Sequence, residues 1–297
     1  MNVSLIENQI NIAHLDKYAA IIGENPSNGA RSPKLWNAVF NECGLNYSML
    51  PFDVTKDNIL NLLDELNQDI NFIGGAIAVP YKEVVAKWLG RNTTTESRNI
   101  GAVNCLYRNN NGKLEGTNTD GEGSLISYTK QFGSPFGKKI LLLGTGGVAR
   151  AVAAYFSSKI GKKGGIYICG RLDRGKDYAR VVNANWISWD EVNNLISKVD
   201  IVINCTSIGY GDQEGISPIK ANQFKFFNKS TIIFDVIYQP LETEFLKLAK
   251  SVKLRAINGL NMNLEQAVIS FIKTNPGMLS DHNVADIMRI QGKSSNN

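Results

Sequence analysis

Histidine is scarce in this chain: His14 and His282 are the only two in 297 residues, far apart and in no metal-ligating pattern. Imidazole acid–base chemistry is therefore not expected, and a catalytic proton falls to lysine, aspartate or tyrosine. Cysteine is nearly as sparse. Cys43, Cys105, Cys169 and Cys205 are scattered and mostly lie in apolar segments, the pattern of small core residues rather than bridges, and their spacing matches no zinc motif. No apolar run approaches the roughly 18 residues of a membrane span. The opening "MNVSLIENQINIAHLDKY" has no basic region followed by an apolar stretch, so no secretory leader is expected and a cytoplasmic location is. The cationic excess is thin, 32 basic against 27 acidic residues for a net +5, and its densest run, "KIGKKGG" around Lys162 and Lys163, is short. A duplex-binding surface needs a denser stripe. The expected partner is a small molecule, not nucleic acid or membrane, and the expected state is a monomer or homodimer.

What is present is an ordinary globular composition, 43% hydrophobic and 20% charged, on a chain long enough for two domains. Strand and helix patterns alternate along most of it. "YAAIIG" (18–23), "SMLPFDV" (48–54) and "FIGGAIAV" (72–79) read as strands. "PKLWNAVFNECG" reads as a helix opened by Pro33 and closed by Gly44, and "KDNILNLLDELNQ" as one with an apolar face of Ile59, Leu60, Leu62, Leu63 and Leu66. Asn111-Gly112 marks a hairpin. A second series, "KKILLL", "GGIYICGR", "VDIVINCTS" and "STIIFDVIY", supplies further apolar strands separated by helical segments. Alternation of this kind predicts α/β architecture with parallel sheets covered on both faces. The domain boundary is expected near residues 121–137, with the last helices, from Gly259 onward, returning to the first domain.

The strongest local motif follows "KKILLL": Gly144, Thr145, Gly146, Gly147, Val148, Ala149, a G-x-G-x-x-A pattern between a strand and a helix. Gly144 suits the tight turn, Gly146 lets a pyrophosphate approach the backbone, and Ala149 lets helix and strand pack closely. The helix N-terminus adds N–H donors. At the end of the next strand, where an acid commonly receives the ribose hydroxyls, stand Cys169 and Gly170, then Arg171, Asp173 and Arg174. The arginines favour the 2′-phosphate of NADP; Asp173 either holds an unphosphorylated ribose, leaving NAD possible, or pairs with a neighbouring arginine.

Lys82, in "AVPYKE", stands just past a buried strand. Alone it reads as a surface lysine; in a crevice, burial and a carboxylate partner would set its protonation and hence its chemistry.

These segments together resemble the shikimate dehydrogenase family. "GENPSNGARSPKLWN" is similar to its substrate loop and "AVPYKE" to its catalytic-lysine segment. "IGAVNCL", "GTNTDGEG", "LLLGTGGVARA", "DIVINCTSIG", "FDVIYQPLETEFL" and "NGLNMNLEQA" are similar to later signatures in the same order. The resemblance implies an N-terminal α/β substrate domain and a doubly wound Rossmann-type NADP domain with a cleft between them: residues 1–121, joined by helices of 259–297, and residues 122–258. It implies reversible hydride transfer between nicotinamide and a ring alcohol or ketone of a shikimate-like polyol, in aromatic amino acid biosynthesis. Lys82 and Asp120 would be catalytic. Ser32, Asn104, Tyr238 and Gln266 would bind substrate, Tyr238 near its carboxylate, and Thr206 and Gly259 would join the cofactor set. No metal is implied. Without the resemblance, Asn104 reads as a turn amide, Gln266 as an exposed helical glutamine, and Asn118 and Thr119 as helix caps.

The chain departs from the family's pattern at one end of the substrate. Ala30 replaces one of two serines, Ala76-Ile77-Ala78 replaces Asn-Val-Thr, Trp36 replaces histidine, and Asn261 and Asn263 replace small or apolar residues. The resemblance thus implies retained chemistry with altered recognition of the acid group. Two other classes compete: a non-catalytic nucleotide-binding regulator, which has no need of Lys82 together with Asp120, and an enzyme with a cysteine nucleophile, for which neither Cys43 nor Cys105 has a histidine near it in sequence.

Overall fold

The computed structural model describes residues 2–170 and 172–294, with the side chains of 172–174 and 294 excepted. It divides into two compact units, Met1–Thr119 with Gln266–Asn297, and Asp120–Glu265.

The first unit is built on a five-stranded sheet of order β2-β1-β3-β4-β5, with β1 Lys17–Gly23, β2 Tyr47–Asp53, β3 Phe72–Ile77, β4 Cys105–Arg108 and β5 Leu114–Thr117. The first three strands are parallel and the last two antiparallel. Pro51 is accommodated because β2 is an edge strand paired only with β1. The β4–β5 turn holds Asn111-Gly112 as expected, and Asn109 ties it by accepting from the N–H groups of Asn111 and Lys113, both at 3.0 Å.

Helices α1 Ser32–Glu42, α2 Ile59–Gln68, α3 Lys82–Leu89 and the short α4 Thr95–Ile100 belong to this unit. Pro33 sits in the first turn of α1, where a missing N–H costs nothing. On α2 the buried face is Ile59, Leu62, Leu63 and Leu66; Leu60, expected on that face, is exposed because one step of 100° carries it off the i, i+3, i+4, i+7 stripe. The indole of Trp36 is fully buried, edge-on to Phe271 with ring centroids 5.1 Å apart. It is a core residue, and its Nε1 has no hydrogen-bond partner among the described residues.

The second unit has a six-stranded, wholly parallel sheet of order β11-β10-β9-β6-β7-β8: β6 Lys139–Leu143, β7 Gly165–Cys169, β8 Asn185–Ile187, β9 Ile201–Asn204, β10 Ile232–Asp235 and β11 Arg255–Ile257. The run Ile140–Leu143 is apolar throughout because both faces are covered. Ile140 and Leu142 enter one core with α6, whereas Leu141 and Leu143 enter the other. Flanking helices are α5 Asp120–Phe132, α6 Gly147–Ile160, α7 Leu172–Val181, α8 Val192–Leu195 and α9 Glu244–Ser251; of the last two helices, α10 Leu260–Thr274 runs across the division at 265/266 and α11 Asp281–Ser294 belongs to the first unit. Strand order reverses between β6 and β9, the switch point at whose carboxyl edge doubly wound sheets bind nucleotides. Among the described residues no helix is long and apolar enough to cross a membrane.

Candidate active site

In the first unit the carboxyl ends of β1, β2 and β3 support the loop 24–31. Its Ser27 is clamped to Asp53, the buried last residue of β2: the Ser27 N–H donates to the carboxylate at 2.8 Å and its hydroxyl donates to the other oxygen. Asn8 steadies that strand end by accepting from Asp53 N at 2.8 Å and donating to the Pro51 carbonyl at 3.0 Å. The loop closes with Ala30 N donating to the Pro26 carbonyl at 3.1 Å and delivers Ser32, buried, to the first turn of α1. Ala78 N donates to the Ile22 carbonyl at 2.8 Å. The Ala78 methyl lies beside Gly23, where an added Cβ would meet it at 2.9 Å. Two methyl groups therefore stand where the resemblance would place hydroxyls.

Lys82 opens α3 and is half-buried. Its carbonyl accepts from Val103 N at 2.9 Å, so the helix start is fixed one residue from Asn104. Asn104 lies in a buried neutral network. Its Oδ1 accepts from Thr119 N at 2.7 Å, and its amide donates to Thr119 Oγ1 at 3.0 Å and Gln266 Oε1 at 3.4 Å. The Thr119 hydroxyl donates on to the Gln266 carbonyl at 3.2 Å. Gln266 is not the exposed helical residue its local sequence suggests, and Asn104 is a buried network amide rather than a turn amide. The Thr119 hydroxyl is likewise spent in this network rather than on a cap, while Asn118 donates to the Ala102 carbonyl at 3.1 Å. Asp120 follows directly as the first residue of α5, also buried.

In the second unit the loop after β6 has the form a dinucleotide requires. Gly144 has φ +116°, and a Cβ there would press on the Cys205 carbonyl at 2.9 Å. A Cβ at Gly146 would meet nothing within 4 Å, so open space lies over the backbone beside the start of α6. Helix α6 begins at Gly147 and has no side-chain cap, which leaves first-turn N–H groups for a ligand. Ala149 is buried against the sheet, and Thr145 packs on Gly170 at the end of β7. These residues fit a pyrophosphate. Arg171 lies outside the described residues, as do the side chains of Asp173 and Arg174.

Thr206, Tyr238 and Gly259 share this unit. Thr206 follows β9, and its N–H and hydroxyl both donate to Asn204 Oδ1, at 3.1 and 2.7 Å. Tyr238 is half-buried in the segment after β10. Gly259 N donates to the Ile237 carbonyl at 2.9 Å. The polar ends of β9 and β10, Asn204 and Asp235, are buried and joined to one another at 3.0 Å. A signal for them was present in the sequence: "IVIN" and "IIFD" each end a buried apolar run on a polar residue, which must then find partners.

All four cysteines are free. Burial pushes the Cys105 thiol up to about 11 and that of Cys169 to about 12. Burial also raises Cys205 well above its ordinary value, with the carboxylates of Asp235 and Asp120 acting in the same direction. Cys43 is also raised, by burial and then by Glu42. None is tuned toward the thiolate that a covalent mechanism needs. Among the described residues no group of three or more potential metal ligands occurs.

Residues 21–106 match the model of the shikimate dehydrogenase substrate-binding domain. The NADP-dependent shikimate dehydrogenase of Desulforamulus reducens is 34% identical over 252 residues, covering 81% of this chain and 84% of that one. The crystal structure of a shikimate dehydrogenase in complex with NADP+ superposes with a TM-score of 0.80 at 29% identity, covering 95% of this chain and 97% of that one. The ligand-free 5-ketofructose reductase of Gluconobacter sp. strain CHM43 does so at 0.73 and 28%, covering 93% and 98%. Residues 21–106 take in the 24–31 loop and Lys82, and with relatives of this identity and coverage the chain belongs to the shikimate dehydrogenase family.

Proposed function

We propose that the protein is an NADP-dependent oxidoreductase that interconverts an alcohol and a ketone on a cyclic polyol related to shikimate. The observation that carries this reading is the arrangement in the first unit. Lys82 is anchored through Val103 next to the buried Asn104–Thr119–Gln266 network, and the chain runs on from Thr119 to Asp120, the first residue of the second unit. Residues 1–121 with the C-terminal helices would form the substrate-binding and catalytic part, and residues 122–258 the NADP-binding part. The 144–149 loop and the start of α6 would hold the pyrophosphate, with Arg171 and Arg174 on the 2′-phosphate. Bound NADP supplies the hydride acceptor, or in its reduced form the donor.

The chain's own residues do the rest. In the direction of reduction, negative charge develops on the carbonyl oxygen, and the Lys82 ammonium stabilises it and delivers the proton. In oxidation the amine takes the hydroxyl proton back. Asp120 is proposed as the carboxylate that partners this lysine. Asn104 and Gln266 orient neighbouring hydroxyls. A locked network suits this role, because an amide fixed in place discriminates hydroxyl positions that a mobile one would not. Ser32 and Tyr238 meet the remaining end of the ring.

That end differs from a carboxylate site. With methyl groups at Ala30 and Ala78, the acid of shikimate loses two donors, and a neutral or larger substituent fits the same space. The 5-ketofructose reductase relative is named for a neutral sugar ketone, so an uncharged substrate is compatible with this fold. We therefore assign a cyclic polyol or ketone with a weakened or absent acid group, acted on by a cytoplasmic monomer or homodimer with no nucleic-acid partner. The test is a panel of shikimate, quinate and neutral cyclic polyols with NADP and with NAD, read by nicotinamide absorbance. Turnover of at least one with NADP preferred is expected; no turnover of any panel member with either cofactor contradicts the reading.

A further inference from the structure

Asp235 is fully buried at the end of β10. Its Oδ1 accepts from Asn204 Nδ2 at 3.0 Å and Ile237 N at 3.1 Å, and its Oδ2 accepts from Thr243 Oγ1 at 2.7 Å. Asn204 passes the connection to the next loop: it accepts from the N–H and hydroxyl of Thr206 and donates to the Ile208 carbonyl at 3.1 Å. Thr243 caps α9, accepting from Leu246 N at 3.4 Å. One carboxylate thus fixes the segment after β9, the segment after β10 and the first turn of α9. Stability alone is a poor reason for it, since apolar residues of similar volume commonly serve as well as a buried ion. What it adds is direction to three backbone segments.

The first of those segments backs the glycine turn, and the second stands against Gly259. The Cys205 carbonyl and Thr206 N–H lie against Gly144, and a Cβ at Gly259 would run into the Val236 carbonyl. In a doubly wound sheet the adenosine half of a dinucleotide lies over the strands on one side of the switch point, here β7 and β8, and the nicotinamide half over those on the other, here β9 and β10. We infer that Asp235 is a positioning residue for the nicotinamide half of NADP. It does not touch the cofactor; through Asn204 and Ile237 it sets where Thr206 and the 236–238 backbone stand.

This inference rests on the reading that the 144–149 loop binds NADP, and one experiment separates the two. The full-length chain is titrated calorimetrically, without substrate, with NADP and with adenosine 2′,5′-bisphosphate, which carries only the adenosine half. Asp235→Ala is expected to weaken NADP by at least about tenfold, the scale of one lost charged hydrogen bond, and to leave the bisphosphate unchanged. Asp235→Asn should bind both like the parent, because its carbonyl takes over the Asn204 and Ile237 donors and its amide faces a hydroxyl able to accept. If Asp235→Ala does not fold, Asn204→Ala breaks the link to Thr206 and carries the same expectation. Equal weakening of both ligands, unchanged NADP binding in the alanine variant, or an Asn variant as weak as the Ala variant overturns the inference. A parent that binds neither ligand removes the NADP reading itself, and the inference with it.

Discussion

The two units bury polar groups at their strand ends in opposite ways. In the first, Asn104, Thr119 and Gln266 form a neutral network of amides and a hydroxyl. In the second, Asn204, Thr206 and Thr243 gather round a carboxylate, Asp235. A neutral network can exchange partners with the hydroxyls of a ligand at little cost. A buried ion cannot, because losing any donor leaves charge uncompensated. The first arrangement therefore suits contact with a polyol, and the second suits holding loops that make contact themselves. The clamp of Ser27 on Asp53 is an intermediate case, a carboxylate that fixes the 24–31 loop from behind.

The sharpest way to break this contrast is at Ala30 and Ala78, where the first unit is proposed to meet the acid group of a substrate. Each hydrogen bond to a charged group contributes about 1.5–3 kcal/mol, so Ala30→Ser with Ala78→Thr should restore roughly 3–6 kcal/mol, or about 10² to 10⁴ in kcat/KM for shikimate. Steady-state kinetics of the double variant checks this; a parent already efficient on shikimate, with no gain from the change, shows that the methyl groups are neutral.

Next in size is the charge of Asp235. Burial raises its pKa from 3.8 to about 6 against the lowering effect of its hydrogen bonds from Thr243, Ile237 and Asn204. The folded state then binds the proton more tightly than the unfolded chain, so this group's contribution to stability is greatest below about pH 4 and is lost as pH rises through 6. Asp235→Asn has no such titration. The stability advantage of the parent over that variant should grow by on the order of 2 kcal/mol from pH 8 to pH 4.5, read from urea unfolding at the two pH values. A gap that is constant, or larger at pH 8, contradicts the raised pKa.

Arg171→Ala should reduce the preference for NADP over NAD by about tenfold or more through loss of a phosphate contact, measured as the ratio of the two kcat/KM values. An unchanged ratio transfers the preference to Arg174. The smallest effect is expected at Ser27→Ala, which removes one of two bonds to Asp53: a KM for substrate raised by about threefold to tenfold, from roughly 1 kcal/mol, with kcat and the KM for NADP unaltered. A fall in kcat alone would mean that the clamp does not govern substrate binding.

Much of this was legible in the chain. Apolar runs such as Ile140–Leu143 identify two-face burial directly, and Gly144 with Gly146 identifies the turn and the open space beside α6. The short β8 and β11, each beginning on an exposed polar residue, give no periodic signal over three residues and are fixed by pairing with β7 and β10. Local pattern also misplaces Asn104, Thr119 and Gln266, because the partners that bury them come from 15 to 162 residues away. For Asp53 and Asp235 the chain shows only a polar residue ending an apolar run, and which donors meet each carboxylate is visible only in the fold.

The central claim is that the reagent belongs to the first unit while the second binds the cofactor. Lys82→Met tests it most directly, with turnover of the best panel substrate and calorimetric NADP affinity measured on the same preparation. The account predicts that turnover falls by about 10²-fold or more while NADP binds as in the parent. Turnover close to the parent's contradicts the assignment of Lys82 as the reagent, and loss of NADP binding contradicts the division of labour between the two units.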